Sequence, residues 1–269
     1  MSGGRRAGAR TVLARGVAGA GRTLGLPVVL LAVWWVASAD STNIFLPPLR
    51  AIVEAFGQVW LSDTFVRDVV PSLWRLGVGY AAALVVGVGV GYVVGRWSVV
   101  RALTGPILAY FRVLPAPVMI PVLLVAVGIG DATKLIVIAM GALWPILLNT
   151  ADGVRAVDDV QLETAAAYRL PAWTRHRLIL RAATPQIFAG ARQALGISII
   201  VMVVSEMLMS TDGLGFTVIR FQRTFAIPQM WSGVLLLGAL GFVLAKLFEL
   251  VERRALRWHR GATGREESR

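Results

Sequence analysis

Six stretches of this chain stay apolar for about the length that an α-helix needs to cross a hydrocarbon layer, roughly 20 residues. They are 24–39, 76–95, 103–130, 135–151, 187–209 and 231–250. The hydrophobic fraction is 57%, above the roughly 45–50% usual for soluble domains, and the excess falls in these blocks. The pattern reads as a polytopic, all-α membrane protein of six transmembrane helices. An even number of spans places both termini on one side.

The charges test that reading. The chain holds 27 Lys and Arg, 15 Asp and Glu, and a net charge of +12. In a soluble protein that balance would suggest nucleic acid. Here eighteen cations fall on one side of a six-span topology: five in the leader, then Arg96, Arg101, the 152–184 loop and the tail. Five (Arg50, Arg67, Lys134, Arg220 and Arg223) fall on the other, and Arg75, Arg112, Arg192 and Lys246 lie within or at the edge of blocks. Cationic loops stay inside, so both termini are expected in the cytoplasm and no nucleic-acid partner is needed. The expected organisation is a basic leader at 1–23, a first helix and extracytoplasmic segment at 24–71, a five-helix core at 72–251, and a basic tail at 252–269. Ala37-Ser38-Ala39 has the form of a signal-peptidase site. The long leader and the Trp34-Trp35 pair favour a retained signal anchor, and cleavage would leave the later spans unchanged.

Within the blocks, Gly87, Gly91 and Gly95 recur every four residues. Such a stripe lets a neighbouring helix approach closely, and packing within the chain is expected before a subunit contact. Pro115, Pro117, Pro121 and Pro145 break the helical ladder, as kinks or as marks of a pathway. Arg192 and Glu206 lie near the ends of their block, where snorkelling suffices. Arg112 is the ionisable residue placed to lie deep.

Several activities lack their motifs. There is no cysteine for a thiolate site, no H-E-x-x-H and no G-x-S-x-G. Neither lysine, Lys134 nor Lys246, follows a Walker-type glycine loop. No block carries an acidic cluster for proton or sodium coupling. A transporter of this composition draws its energy from another subunit. The alternative is a self-contained secondary transporter or channel.

The longest loop between blocks on the cationic side is 152–184. VQLETAAAY (160–168) is alanine-rich, Pro171-Ala172-Trp173 punctuates, and WTRHRLILRAA (173–183) reads as a short basic amphipathic helix. The pair would dock a soluble partner or lie on anionic lipid.

These residues resemble a known family. Glu163-Thr164-Ala165, followed by Leu180-Arg181-Ala182-Ala183-Thr184-Pro185, is similar to the "EAA" loop of permeases of bacterial ATP-binding-cassette (ABC) importers. NIFLPPLRAIVEAF, WPILLNTADGVRAVD, VVSEMLMSTDGLGF and VERRALRWHR resemble, in order, segments of the branch serving nitrate, sulfonate and taurine. The resemblance covers roughly residues 43–260. It implies the type I, MetI-like permease fold, working as a homodimer with the pathway between protomers, lined by spans three to five. It further implies an ABC ATPase partner carrying ATP and Mg, an extracytoplasmic solute-binding protein, a place in the bacterial inner membrane, and no catalysis or cofactor in this chain. The ATPase-coupling positions carried over are Glu163, Thr164, Ala165, Arg169, Leu170, Pro171, Trp173, Leu180 and Pro185. Pathway or gate candidates are Arg112, Pro115, Met119, Asn149, Glu206, Gly213 and Gly215. Arg169 stands where the family has a glycine, and Arg181 where it has a proline. Arginine resists a left-handed turn, so the turn is expected at Leu170-Pro171 instead.

Overall fold

The computed structural model describes residues 25–26 and 28–257, so the leader at 1–23 and most of the basic tail lie outside it. Among the described residues every regular element is helical. α1 (Val28–Ala37) is followed by α2 (Leu49–Trp60). A π-helical turn at Phe65–Val69 runs into α3 (Val70–Arg96). Next come α4 (Ser98–Phe111), a 3-10 turn at Ala116–Met119, and α5 (Ile120–Val127). α6 (Asp131–Arg155), α7 (Asp159–Ala167), α8 (Ala172–Met209), α9 (Leu214–Arg223) and α10 (Ile227–Ala255) complete the order.

Among the described residues four helices are long and apolar enough to cross a membrane: Phe65–Arg96, Asp131–Arg155, Ala172–Met209 and Ile227–Ala255. The third apolar block is not a straight span, because α4 and Ala116–Val127 meet at 85°. Pro115 and Pro117 account for the break. Both lack an amide donor. Pro115 disfavours the helical region for Leu114 and is itself extended, at ψ 125°, and Pro117 falls at the start of the 3-10 turn where the new helical direction begins. Counted as one broken span, this pair makes five. Within the described residues α1 covers Val28–Ala37, and Gly25 and Leu26 before it are helical too. Among the described residues the expected six spans thus correspond to four continuous helices, one bent pair and the described part of α1. The connecting stretches 41–72 and 210–230 hold the shorter helices α2 and α9.

α3, α6 and α8 form the centre. Small residues set their spacing, as lipid supplies no hydrophobic drive for helices to associate. A Cβ added at Gly91 would lie 2.5 Å from the Leu147 carbonyl oxygen of α6. One added at Gly190 of α8 would lie 2.6 Å from the Pro145 carbonyl oxygen. Gly87 and Gly95 face Ile146 and Val154 in the same way, so the glycine stripe packs within the chain. Leu76, Val137, Ile138, Val201 and Met202 fill the space between the three helices near one end. Val154, Val157, Ile179 and Ala183 do so near the other. α1 and α2 attach to α10: Trp34 meets Trp231 edge-on at 5.6 Å, and the buried Trp60 indole donates to Ser232 Oγ at 3.0 Å.

Candidate functional site

Three places collect the candidate residues, and the first is the segment joining α6 to α8. Asp158 caps α7 by accepting from the Val160 amide at 2.9 Å, a favoured N-cap. The helix ends in a paired reversal: Arg169 N–H donates to Ala166 O at 2.9 Å and Leu170 N–H to Ala165 O at 3.0 Å. This is the Schellman arrangement, which needs a left-handed residue after the last helical turn. Arg169 is that residue, at φ 51°. The expectation that Leu170-Pro171 would make the turn is therefore corrected. The two closing hydrogen bonds hold arginine in a conformation that it enters at a cost of roughly 1 kcal/mol.

The expected short basic helix at 173–183 is also corrected. It is the opening of α8, continuous for 38 residues through Pro185. Ile179 and Ala183 are buried against Val154 and Val157 at the end of α6, and that packing carries the helix past the proline. His176, on the same turns, meets the Tyr92 hydroxyl of α3. The segment is thus a rigid extension of the central helices. Thr164, Ala165 and Leu170 line a hollow of about 400 Å³ together with Val160, Tyr168 and Leu178. Val160, Tyr168 and Trp173 are exposed, Trp173 at 76%. Glu163 is exposed on α7, Pro171 caps α8, and Leu180 and Pro185 are half-buried within α8, away from the hollow.

The second place is a cavity of about 560 Å³ where the α4–α5 break faces α6 and α8. It brings together Arg112, Pro115 and Asn149 of the pathway candidates, with Trp144 and Gln193 beside them. Met119 lies on the adjoining 3-10 turn but not on the lining. The Asn149 amide nitrogen donates to Pro145 O at 2.8 Å.

The third place is at the opposite ends of α3, α6 and α8 from the α7 segment, and it corrects the reading of Glu206. Glu206 does not snorkel; it is fully buried. Arg75 Nη1 donates to it at 3.0 Å, Ser72 Oγ reaches both of its oxygens at 2.8 Å, and the Gly215 amide donates at 3.0 Å. Arg75, itself 3% exposed, also donates to Asp131 at 2.8 Å and Asp212 at 2.6 Å. Lys134 lies 3.3 Å from Asp131 and 3.9 Å from Asp212. Asp68 accepts from the Gly213 amide at 3.2 Å and from Thr217 at 2.8 Å. Gly213, at φ 105°, has no room for a side chain: a Cβ there would stand 2.5 Å from the Glu206 carboxyl carbon. The two glycines therefore bring the turn down onto Glu206.

Buried charges survive when paired and fully hydrogen-bonded, and this cluster meets both conditions. Asp212 lies outside the long helices. Partial burial would raise its pKa, but the Arg75 guanidinium and the Lys134 ammonium outweigh that and hold it below the ordinary carboxylate value. Sequence reasoning singled out Glu206, Gly213 and Gly215 here but missed Arg75, Lys134, Asp131, Asp212, Ser72 and Asp68 as partners. The signal was present: Arg75 and Lys134 stand just before their apolar blocks and Glu206 near the finish of its block, which an alternating topology brings to one side.

Comparison with known proteins agrees with this architecture. The chain is 28% identical over 245 residues to the taurine transport system permease protein TauC of Escherichia coli, covering 88% of this chain and 89% of the relative. It is 30% identical over 239 residues to the bicarbonate transport system permease protein CmpB of Synechococcus elongatus, covering 84% and 86%. It is 27% identical over 243 residues to a putative aliphatic sulfonates transport permease protein, SsuC, of Bacillus subtilis, covering 89% and 88%. Its fold matches a chain of the MetNI methionine ABC transporter, solved in inward-facing conformations, with a TM-score of 0.61 and 20% identity over 71% of this chain and 96% of that one. The sequence pattern described as "Binding-protein-dependent transport system inner membrane component" matches residues 83–257. The chain therefore belongs to that family, the multi-pass inner-membrane permeases of ABC transport systems.

Proposed function

We propose that this chain is the transmembrane subunit of an ABC importer that moves a small anion, such as a sulfonate, nitrate or bicarbonate, or the zwitterion taurine. A binding protein would deliver the solute from outside. A separate ATPase, holding ATP and Mg, would supply the energy. The working unit would be a homodimer of six-span protomers with both termini and the 152–184 segment in the cytoplasm, and the core would run over 72–251.

The observation that carries this reading is the α7–Arg169–α8 unit. It presents an apolar hollow bordered by the exposed Val160 and Tyr168 of the α7 side, and beside it the exposed Trp173 on the first turn of α8, the helix that continues into the centre of the protein. A force applied there by a docked ATPase would travel along α8 without a hinge. Trp173 is the residue type that most often anchors an interface. Its replacement by alanine should cost about 2 kcal/mol of ATPase binding, roughly thirtyfold in affinity. The test is co-purification of the ATPase in detergent with wild type, Trp173→Ala and Glu163→Ala. Full retention by both variants would remove these residues from the interface.

A further inference from the structure

The cavity at the α4–α5 break holds a cation whose partner is unassigned. Trp144 comes from the middle of α6, about 20 Å along it from Asp131, and Asn149 stands about 27 Å along, near the end of its apolar block. Gln193 of α8 lies in the second turn of the block 187–209. The cavity thus runs from the middle of the bundle toward the end that carries α7. Arg112 opens onto it, and among the described residues it makes no salt bridge. It follows the last turn of α4, where a cation complements the helix carbonyls. That explains its position. It leaves most of its five donors unused, and Arg112 is exposed, so they are free to meet a ligand in the cavity.

The lining carries a selectivity of its own. Among the described residues no Asp or Glu lines the cavity. The polar groups beside Arg112 are the neutral Trp144, Asn149 and Gln193, and one Asn149 donor is already taken by Pro145. The indole and amide N–H groups can donate to an anion, while the Asn149 and Gln193 amide oxygens can also accept, so the preference for an anion comes from the Arg112 charge and the lack of a carboxylate on the described lining. The rest of the wall is apolar, with Leu148, Ile197 and Val201 among its members. One cation with a few neutral donors binds an oxyanion well enough to admit it and weakly enough to release it, the condition for passage.

We infer that this cavity is a transfer subsite for a small oxyanion, held by the planar fork of Arg112 with help from Gln193 and the Trp144 indole. The inference rests on the importer reading above and narrows it. A planar guanidinium matches the paired oxygens of a sulfonate, nitrate or bicarbonate in a bidentate way that an ammonium does not. Arg112 is thus a binding residue for the solute in transit.

The experiment uses the complete complex of this chain, its ATPase and its binding protein in proteoliposomes. Uptake of radiolabelled ethanesulfonate, taurine, nitrate and bicarbonate is measured together with ATP hydrolysis. Arg112→Gln is expected to lower the solute moved per ATP about tenfold or more, through loss of a charge-assisted hydrogen bond. Stimulation of the ATPase by loaded binding protein should stay within about twofold of wild type, because the variant lies far from the α7 segment. Arg112→Lys should restore only a minor part of the ratio, since the ammonium keeps the charge but lacks the bidentate fork, and Gln193→Ala should lower it about threefold, the scale of one neutral hydrogen bond. A wild-type ratio in Arg112→Gln overturns the subsite. So does a loss of dimer in that variant on gel filtration, which would make Arg112 a contact between copies. If loaded binding protein stimulates the ATPase but wild type moves none of these solutes, the subsite falls and the importer reading stands. If wild type shows neither uptake nor stimulation, the importer reading falls and takes the subsite with it.

Discussion

Arg75→Leu leaves Glu206 without its cation, and the cost can be built from the three contacts that are lost. Glu206 is fully buried and keeps only Ser72 and the Gly215 amide. Stripping one partner from a buried ion pair costs about 3–5 kcal/mol. The contacts to Asp131 and Asp212 contribute less, because these carboxylates are 49% and 40% exposed and exposed pairs are worth about 1 kcal/mol at most. Lys134 already stands near both of them. The loss therefore comes mainly from Glu206 and amounts to about 4 kcal/mol, or roughly 10 °C in apparent Tm for a chain of this size. The assay is thermal unfolding of the purified protein in detergent, run as a cycle with Glu206→Leu and the double variant. Two well-packed apolar groups in place of the pair should recover more than half of the loss. A single-variant cost below about 1 kcal/mol, or a double-variant cost equal to the sum of the singles, would refute the view that Arg75 and Glu206 stabilise each other.

Two further outcomes follow from the same geometry. Arg169→Gly should raise stability by about 0.5–1 kcal/mol, since glycine occupies φ 51° without strain. A loss of stability would mean that the arginine side chain holds the turn. Asp212 has a lowered pKa, so its stabilising contribution is complete above the unfolded carboxylate value near 3.9 and disappears as pH falls through its lower folded value. The difference in apparent Tm between wild type and Asp212→Asn should be constant from about pH 8 to 5 and close below about pH 4. Closure near neutral pH would show that another group controls it.

Much of the fold was legible because bilayer crossing is a constraint on single segments. A block such as 135–151 or 231–250 must satisfy its own backbone, so length and apolarity locate α6 and α10 without knowledge of any neighbour. Glycines 87, 91 and 95 were legible for a related reason: their spacing marks one helix face, and that face met α6. The prolines at 115 and 117 announced a break but not its 85° angle, which depends on what the two arms pack against. The α7 segment was legible as two helices, yet its second helix proved to be the start of α8. Periodicity is the same on both sides of Pro185, and only the burial of Ile179 and Ala183 against α6 shows where that helix belongs.

The sequence by itself determined the class of protein, the approximate spans, the closely packed glycine face and the position of the α7 segment, because each follows from the chemistry of contiguous residues. The tertiary structure alone decided that Glu206 is a buried partner of Arg75, that Arg169 adopts the left-handed turn, and that Arg112, Trp144, Asn149 and Gln193 share one cavity. Each of those facts joins residues separated along the chain or pits local preference against packing. A charge at the end of a span has the same sequence signature whether it reaches water or a cation 131 positions away. Which of the two it meets is settled by helices packed closely enough to exclude water, and that closeness is a property of the assembled core.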